Sequence, residues 1–383
     1  MADIQRSENT NQVNEETGFL SGSENQEPMA GFFSRLRFRH RSGRRGKYYR
    51  WLRAAVIGTI VLLFVLFVIV PVVYRYSPGI QRYFIFLNKV QGNIEFGKPE
   101  DVGLPGTRNF YIETEENVSV GVWHILPEPL VHSVPDISSE EQAKWFEDTL
   151  RNNNPVIFYM HGNKGSRGQE RRVNLYNVLR KMGYHIITFD YRGYGDSSSV
   201  IPSESGLVTD AKVIFQYLLN YTKASLIFVW GHSLGTGVAC HSVSELCQEQ
   251  KCPGGVILEA PFNSITEEVR HHPMGMIFWG LPYFDWAFVD PLKDIDVQFK
   301  SDVHITRITA PIIILHAQDD RVIPFDLGKK LYEAGLHGRS RELPPISFIE
   351  FKTEFGYGHN YISRAPELMP IIKNFIQTTQ KPN

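Results

Sequence analysis

The pentapeptide Gly231-His232-Ser233-Leu234-Gly235 follows the apolar run LIFVW and precedes the helix-forming stretch TGVACHSVSELCQE. In such a G-x-S-x-G turn the serine sits on a sharp bend between strand and helix, where any side chain two residues away on either side would collide with backbone. A serine hydroxyl is a poor nucleophile at neutral pH. It needs a base within hydrogen-bond reach, and that base needs a carboxylate to orient it. The pentapeptide alone could be no more than a turn, but the buried strand before it and the helix after it make Ser233 a candidate nucleophile.

Where a nucleophile stands on this kind of elbow, its partners follow in the order acid, then histidine. Downstream, the apolar run Ile312 to Leu315 leads into His316-Ala-Gln-Asp319-Asp320-Arg-Val-Ile-Pro324, which places two acids where a strand ends and a loop opens. Asp320 is the preferred acid, with Asp319 beside it as the alternative and Glu259, at the end of an earlier strand, as a third. His304, His316 and His337 also follow Ser233, yet only His359, in Phe355-Gly-Tyr-Gly-His359-Asn, lies after the final strand with a helix still to come. His359 is the expected base. Stabilising a tetrahedral intermediate takes two backbone donors. The amide of Leu234 supplies one, and the loop His161-Gly162-Asn163-Lys164-Gly165 after an early strand supplies the other, from Asn163. That loop lacks the G-x-x-x-x-G-K-[ST] spacing of a phosphate cradle. There is no H-E-x-x-H, and the adjacent His271 and His272 would point apart, so neither metal nor cofactor is implied. His185 to Asp190 (HIITFD) has the H-x-x-x-x-D spacing of some acyltransferases, but four of its residues form a buried strand, and the spacing reads as chance.

These residues must be held by a scaffold. Apolar, β-rich runs at Val118 to Leu126, Val156 to Met160, Ile186 to Phe189, Leu226 to Trp230, Val256 to Leu258, Ile312 to Leu315 and Ile346 to Phe351 alternate with longer helical stretches. The pattern predicts an α/β fold with a mostly parallel sheet, one domain over 107–383, interrupted longest at about 263–303. Within that interruption the segment 274–290, MGMIFWGLPYFDWAFVD, carries six aromatics and would sit as a lid over the site or pack as ordinary core.

The 383 residues hold 40 Lys and Arg against 41 Asp and Glu, a composition that excludes a wholly disordered or collagenous chain. The balance is uneven along the chain. Residues 1–34 read as an acidic disordered tail; 35–53 carry nine bases and no acid; Ala54 to Tyr74 is free of charge and long enough to cross a bilayer as a helix. Basic residues favour the cytosolic side, so the N-terminus is expected in the cytosol and everything after the span across the membrane. The sequons at Asn117 and Asn220 fall on that far side as candidate glycosylation sites. Residues 75–106 form a membrane-proximal connector whose apolar part, IQRYFIFL at 80–87, either lies at the membrane interface or packs on the domain. Cys240, Cys247 and Cys252 are too few and too local for a disulfide framework; three thiols is the preferred reading and one local disulfide the alternative.

HGN at 161–163, FDYRGYGDS at 189–197, GHSLGTGVA at 231–239, HAQDDRVIPF at 316–325 and GYGHNYI at 356–362 occur in an order that resembles the α/β-hydrolase superfamily. With YSPGIQ at 76–81, VGVWH at 120–124 and PYFDWAFVDP at 282–291, the chain is similar to the membrane-anchored lysophosphatidylserine and monoacylglycerol lipases within it. The resemblance covers the span through the C-terminus but not the N-terminal tail. It implies a nucleophile at Ser233, an acid at Asp320 and a base at His359. It also implies a single-pass protein of the endoplasmic reticulum with a lumenal, glycosylated hydrolase domain that takes lipid esters from the bilayer. Lys164 departs from the small residue expected there; with Arg167 and Arg171 it is a candidate contact for an anionic head group. A thioesterase or peptidase using the same three residues, or an inactive scaffold, are the competing readings.

Overall fold

The computed structural model describes residues 42–380. The acidic tail and the start of the basic run lie outside the described residues. From the domain's first strand onward, the apolar runs pair into one eight-stranded sheet in the order β1-β2-β4-β3-β5-β6-β7-β8. Strands β1 (Thr107–Glu115) and β2 (Val118–Ile125) are antiparallel to each other, and β2 is antiparallel to β4 (His185–Phe189). The others, β3 (Val156–Met160), β5 (Ile227–His232), β6 (Gly255–Glu259), β7 (Ile312–Ala317) and β8 (Ile346–Phe351), run parallel with β4. Because crossover helices cover both faces, the central strands are buried along their whole length and mostly apolar instead of alternating. In β5, Ile227 and Val229 enter the core on one face while Phe228 and Trp230 enter the core on the other.

Strand β1 is absent from the expected set. Its sequence, TRNFYIETE, is mostly polar or half-exposed, as befits the sheet edge, and only Thr114 is buried. The remaining strands appear within two residues of the expected ends, with β3 and β8 matching.

The helices are α1 (Ser42–Phe64), α2 (Val70–Arg75), α3 (Pro78–Phe86), α4 (Ser139–Thr149), α5 (Glu170–Lys181), α6 (Glu204–Leu219), α7 (Leu234–Gln248), α8 (Ile265–His271), the single turn α9 (Ser301–His304), α10 (Phe325–Gly338) and α11 (Leu368–Thr379). One wide helical turn, Val65–Ile69, joins α1 to α2. Pro71 explains the widening: it has no N–H for the Phe67 carbonyl four residues back. The Tyr283 hydroxyl donates to that carbonyl instead. The continuous stretch Arg45–Arg75 is 31 residues long and reaches a mean hydropathy of 3.2, long and apolar enough to cross a membrane.

Segment 80–87 packs on the domain with one face and leaves the other exposed. On α3, Gln81, Ile85 and Phe86 are buried against the domain while Ile80, Tyr83 and Phe84 remain exposed. Between β6 and β7 the chain runs through α8, short turns at Pro273–Phe278 and Asp285–Val289, and α9. Preference for three thiols is corrected: Cys247 and Cys252 form a disulfide, and only Cys240, buried in the core, is free.

Candidate active site

Ser233 follows β5 directly and precedes α7, with φ 53° and ψ −120°. Such backbone angles cost an L-residue a few kcal/mol, roughly 1–3, and persist only where the surroundings enforce them. The enforcement is visible. A Cβ on Gly231 would stand 2.4 Å from the Gly235 carbonyl oxygen, and one on Gly235 would stand 2.1 Å from that of Met160 in β3. The Ser233 N–H donates to the Glu259 carbonyl at 3.0 Å, pinning the elbow to the neighbouring strand. Leu234 opens a 15-residue helix, so its N–H has no acceptor within that helix and points with the helix dipole toward the turn. Among the described residues Ser233 Oγ makes no hydrogen bond. The contact to a base is open in this geometry, as is common before substrate closes such a site.

The end of β7 and the loop after β8 meet beside it. His359 Nδ1 donates to Asp320 Oδ2 at 2.7 Å. The other oxygen of Asp320 accepts from the amides of Val322 at 2.8 Å and Ile323 at 2.9 Å. Burial pushes this carboxyl up, but hydrogen bonds from His316 and His359 outweigh it and hold Asp320 well below the usual carboxylate range. Asp320 is therefore an anion, and it leaves Nε2 of His359 as the basic nitrogen. The two alternative acids do other work. Asp319 accepts the Gly358 N–H at 3.0 Å with both oxygens, setting the loop that carries His359. Glu259 accepts the indole N–H of Trp230 at 2.9 Å, and burial raises it to about 7. His232 holds the loop from the other side, Nε2 to the His359 carbonyl at 2.9 Å. Burial and the neighbouring His359 push His232 well below the ordinary range, so it is a neutral donor.

The loop at 161–165 lies against the elbow, where a Cβ on Gly162 would be 3.2 Å from that of Ser233. Its shape is held by buried arginines. Arg172 donates to the carbonyls of Lys164 at 2.7 Å, Gly162 at 3.2 Å and also Ser166. Asn163 spends its side-chain amide on the Ile85 carbonyl of α3, at 3.1 Å, and lines the same cavity as Ser233 and Leu234. Arg167 is not available to a head group, contrary to the expectation from sequence. It is fully buried, paired at 2.6 Å with both Asp190 and Asp196, and stacked over Phe96. Arg171 is half-buried, and burial with the nearby Arg172 lowers it to about 10. Of the three bases only Lys164 is exposed. In HIITFD, His185 bonds His124 at 3.0 Å at one end of β4 while Asp190 pairs with Arg167 past the other, so the two do not meet.

A cavity of about 200 Å³ opens in front of Ser233. Its wall is almost entirely apolar, built from the insert (Phe278, Phe284, Phe288), α3 and the residue that ends it (Phe84, Ile85, Leu87) and α2 (Val70, Tyr74). Residues 155–295 match the model of the alpha/beta hydrolase fold family. The chain is 42% identical to lysophosphatidylserine lipase ABHD12 of Xenopus tropicalis over 89% of its own length and 86% of that protein's. The chain belongs to the ABHD12 family of α/β hydrolases. Human protein ABHD12B is 33% identical over 77% of this chain and 78% of its own. Among solved structures, a Pyrococcus furiosus esterase (20% identity, TM-score 0.54, 76% of this chain and 96% of that one) shares the fold. So does an α/β hydrolase from Vibrio vulnificus (18% identity, TM-score 0.55, 82% and 94%).

Two features of this ABHD12-family site escaped the sequence. One is Glu268 on α8, a buried carboxyl among the cavity's aromatic walls that burial alone raises to about 8. Amphipathic placement within a seven-residue helix gives no signal for it. The other is buried arginine: Arg167 read as a surface base and Arg172 was not singled out, because a buried arginine is recognisable only once its acceptors are in place. Elsewhere, Glu204, His241 and His304 bring one ligand atom each within 4.8 Å of the others. Their atoms are engaged, with Glu204 on His241 at 2.7 Å and on the amides of Gln298 and Phe299, and His304 on Ser244 at 3.1 Å. This network braces α6 and α7 against the insert.

Proposed function

We propose that this chain is a membrane-anchored serine hydrolase that cleaves the acyl ester of lysophospholipids, lysophosphatidylserine among them, and of monoacylglycerols. The observation that carries the reading is an elbow serine at the end of an apolar cavity, beside a His359–Asp320 pair bonded at 2.7 Å. The head group comes from the printed name of the ABHD12 relatives. Ser233 Oγ attacks the acyl carbonyl while His359 Nε2 takes its proton, and the developing oxyanion meets the amides of Leu234 and Asn163. Collapse expels the glycerol oxygen, which takes the proton from His359 and leaves an acyl-serine. Water, deprotonated by His359, then releases the fatty acid and restores Ser233. Moving an acyl chain through water costs about 0.8 kcal/mol per methylene, which for a long chain favours an apolar site fed from a bilayer over an open one.

The topology belongs to the same reading: residues 1–53 in the cytosol, a span at 54–74, and the connector and hydrolase domain in the lumen of the endoplasmic reticulum. Nine bases precede the span. Asn117 and Asn220 are exposed, and a disulfide suits an oxidising compartment. Lys164, exposed beside the oxyanion loop, is the candidate contact for an anionic head group, with Arg171 behind it.

Wild-type protein in membranes should label with a fluorophosphonate and release fatty acid from lysophosphatidylserine and monoacylglycerol, and Ser233→Ala should do neither. Unchanged labelling in Ser233→Ala would sink the mechanism, and release of a peptide or thiol in place of fatty acid would replace the substrate class. Glycosidase-sensitive mobility lost in Asn117→Gln with Asn220→Gln, together with protease protection of the domain in sealed vesicles, tests the topology.

A further inference from the structure

We infer that the last turns of the membrane-spanning helix are part of the substrate site, with Val70 and Tyr74 forming one wall of the channel in which the acyl chain lies. This deepens the lipid-hydrolase reading and rests on it.

Three observations converge. First, the cavity that contains Ser233 and Leu234 is lined by Val70 and Tyr74, so the helix borders the reacting centre instead of merely tethering it. Second, the helix is fixed in that position by the insert. Phe67 meets Phe278 edge-on with ring centres 6.1 Å apart, and Tyr74 packs on Phe288 at 5.1 Å. Tyr283 donates to the Phe67 carbonyl that Pro71 cannot serve. Arg75 lies 4.6 Å over the Trp286 ring and donates to the Trp286 carbonyl. Gln81 closes the end of the helix, donating to the carbonyls of Tyr74 at 2.7 Å and Arg75 at 2.8 Å.

Third, the outer surface around this junction is apolar. Ile80, Tyr83 and Phe84 on α3 and Met276, Ile277, Trp279 and Trp286 on the insert are all exposed, and they continue the apolar surface of the span itself. Aromatic residues at the end of a span are what a membrane interface favours. A patch this apolar is otherwise unusual on a monomer's free surface. Val70 faces both ways: 39% of it is exposed on the lipid side, and it also lines the cavity. The occupant that fits is the hydrocarbon tail of the substrate. It moves from the bilayer past Val70 and between α2 and the insert, and its carboxyl ester stops at Ser233 without the tail crossing water.

The test uses the full-length chain in membranes, with fluorophosphonate labelling as the check that the elbow is intact. Val70→Trp places an indole in the channel. It should lower hydrolysis of palmitoyl and oleoyl glycerides by about tenfold or more, the discrimination a filled apolar pocket provides, while butyryl glyceride and labelling change little. Val70→Ala should move the preference toward longer chains. Leu62→Trp, on the same helix, exposed and outside the cavity, should leave the whole chain-length profile unchanged. Equal loss for long and short chains in Val70→Trp with labelling retained would overturn the inference. So would an unmoved profile in Val70→Ala, which decides the matter if the tryptophan variant fails to label. A wild-type protein that labels yet hydrolyses no lipid ester would overturn the function itself, a result distinct from an active enzyme whose chain-length profile does not respond to residue 70.

Discussion

The corner that holds Ser233, Asp320 and His359 and the wall that faces it are built by opposite means. The corner hangs from strand ends, with glycines where backbone meets backbone, a carboxylate accepting two amides, and arginines spending their donors on loop carbonyls. The wall is a set of short helical turns whose rings touch at 5 to 6 Å, held by packing with few directed bonds. Directed bonds fix positions to a fraction of an ångström, which bond-making requires. Ring packing fixes only a volume, which is enough for a hydrocarbon chain. Substitutions in the corner should therefore act on rate for every substrate, and substitutions in the wall on the choice among substrates.

The largest effects should fall in the corner. Ser233→Ala and His359→Ala should each lower turnover of all esters by about 10⁴-fold or more, and Asp320→Asn by a comparable factor through the wrong imidazole tautomer. Asp319→Asn should cost much less, since among the described residues Asp319 accepts a hydrogen bond from the Gly358 amide alone; steady-state kinetics on long and short esters would show whether the two acids separate in this way. Next is Arg167→Ala, which takes the guanidinium from buried Asp190 and leaves it the amide of residue 167 and His161; it should destabilise the fold by roughly 3–5 kcal/mol, read as a drop in melting temperature.

Glu268 tests the wall from within. Its ordinary value is 4.5 and burial raises it to about 8, so between those values the unfolded chain loses a proton that the folded chain keeps. Fold stability then falls as pH rises from about 4.5 to about 8 and is flat beyond. Glu268→Gln should remove that slope and raise stability near neutral pH by a few kcal/mol at most, measured by denaturation at several pH values. Lipid turnover should also decline above about pH 8 in the wild type, as a charge appears in the apolar cavity, and not in Glu268→Gln. The smallest effect is expected for Lys164→Glu at the exposed lip: a few-fold loss on lysophosphatidylserine with little change on neutral glycerides, fading at high salt. An equal loss on both would remove Lys164 from head-group selection.

The same division governs what could be read from the chain. Fold class, seven of the eight strands and the elbow follow from apolar runs and from residues that only glycine or a nucleophile can replace. That Asp320 meets His359 while Asp319 holds Gly358 rests on loop geometry, and the sequence ranked the two without separating them. Arg167 was misplaced because charge alone says surface, and its two aspartates are 23 and 29 residues away. Segment 80–87 was ambiguous for a sound reason: it is amphipathic, and both of its faces are apolar in part. Of the wall, the aromatic insert at 274–290 was legible as a lid or as core, but its meeting with the span was not, since aromatics about 200 residues apart in sequence carry no mutual signature.

Pro71 leaves one carbonyl without its usual donor, and Tyr283 of the insert supplies the missing proton. On the proposed topology, this bond ties the tilt of the span to the wall in front of Ser233. A single hydrophobic helix adapts to a thinner or thicker membrane by changing its tilt, at a fraction of a kcal/mol per ångström. Here the end of the helix packs on Phe278 and Phe288 and is bonded by Tyr283, and two of those rings line the space in front of Ser233, so a change of tilt should change that space. On this reading the chain's preference among acyl lengths should shift with the thickness of the membrane that holds it.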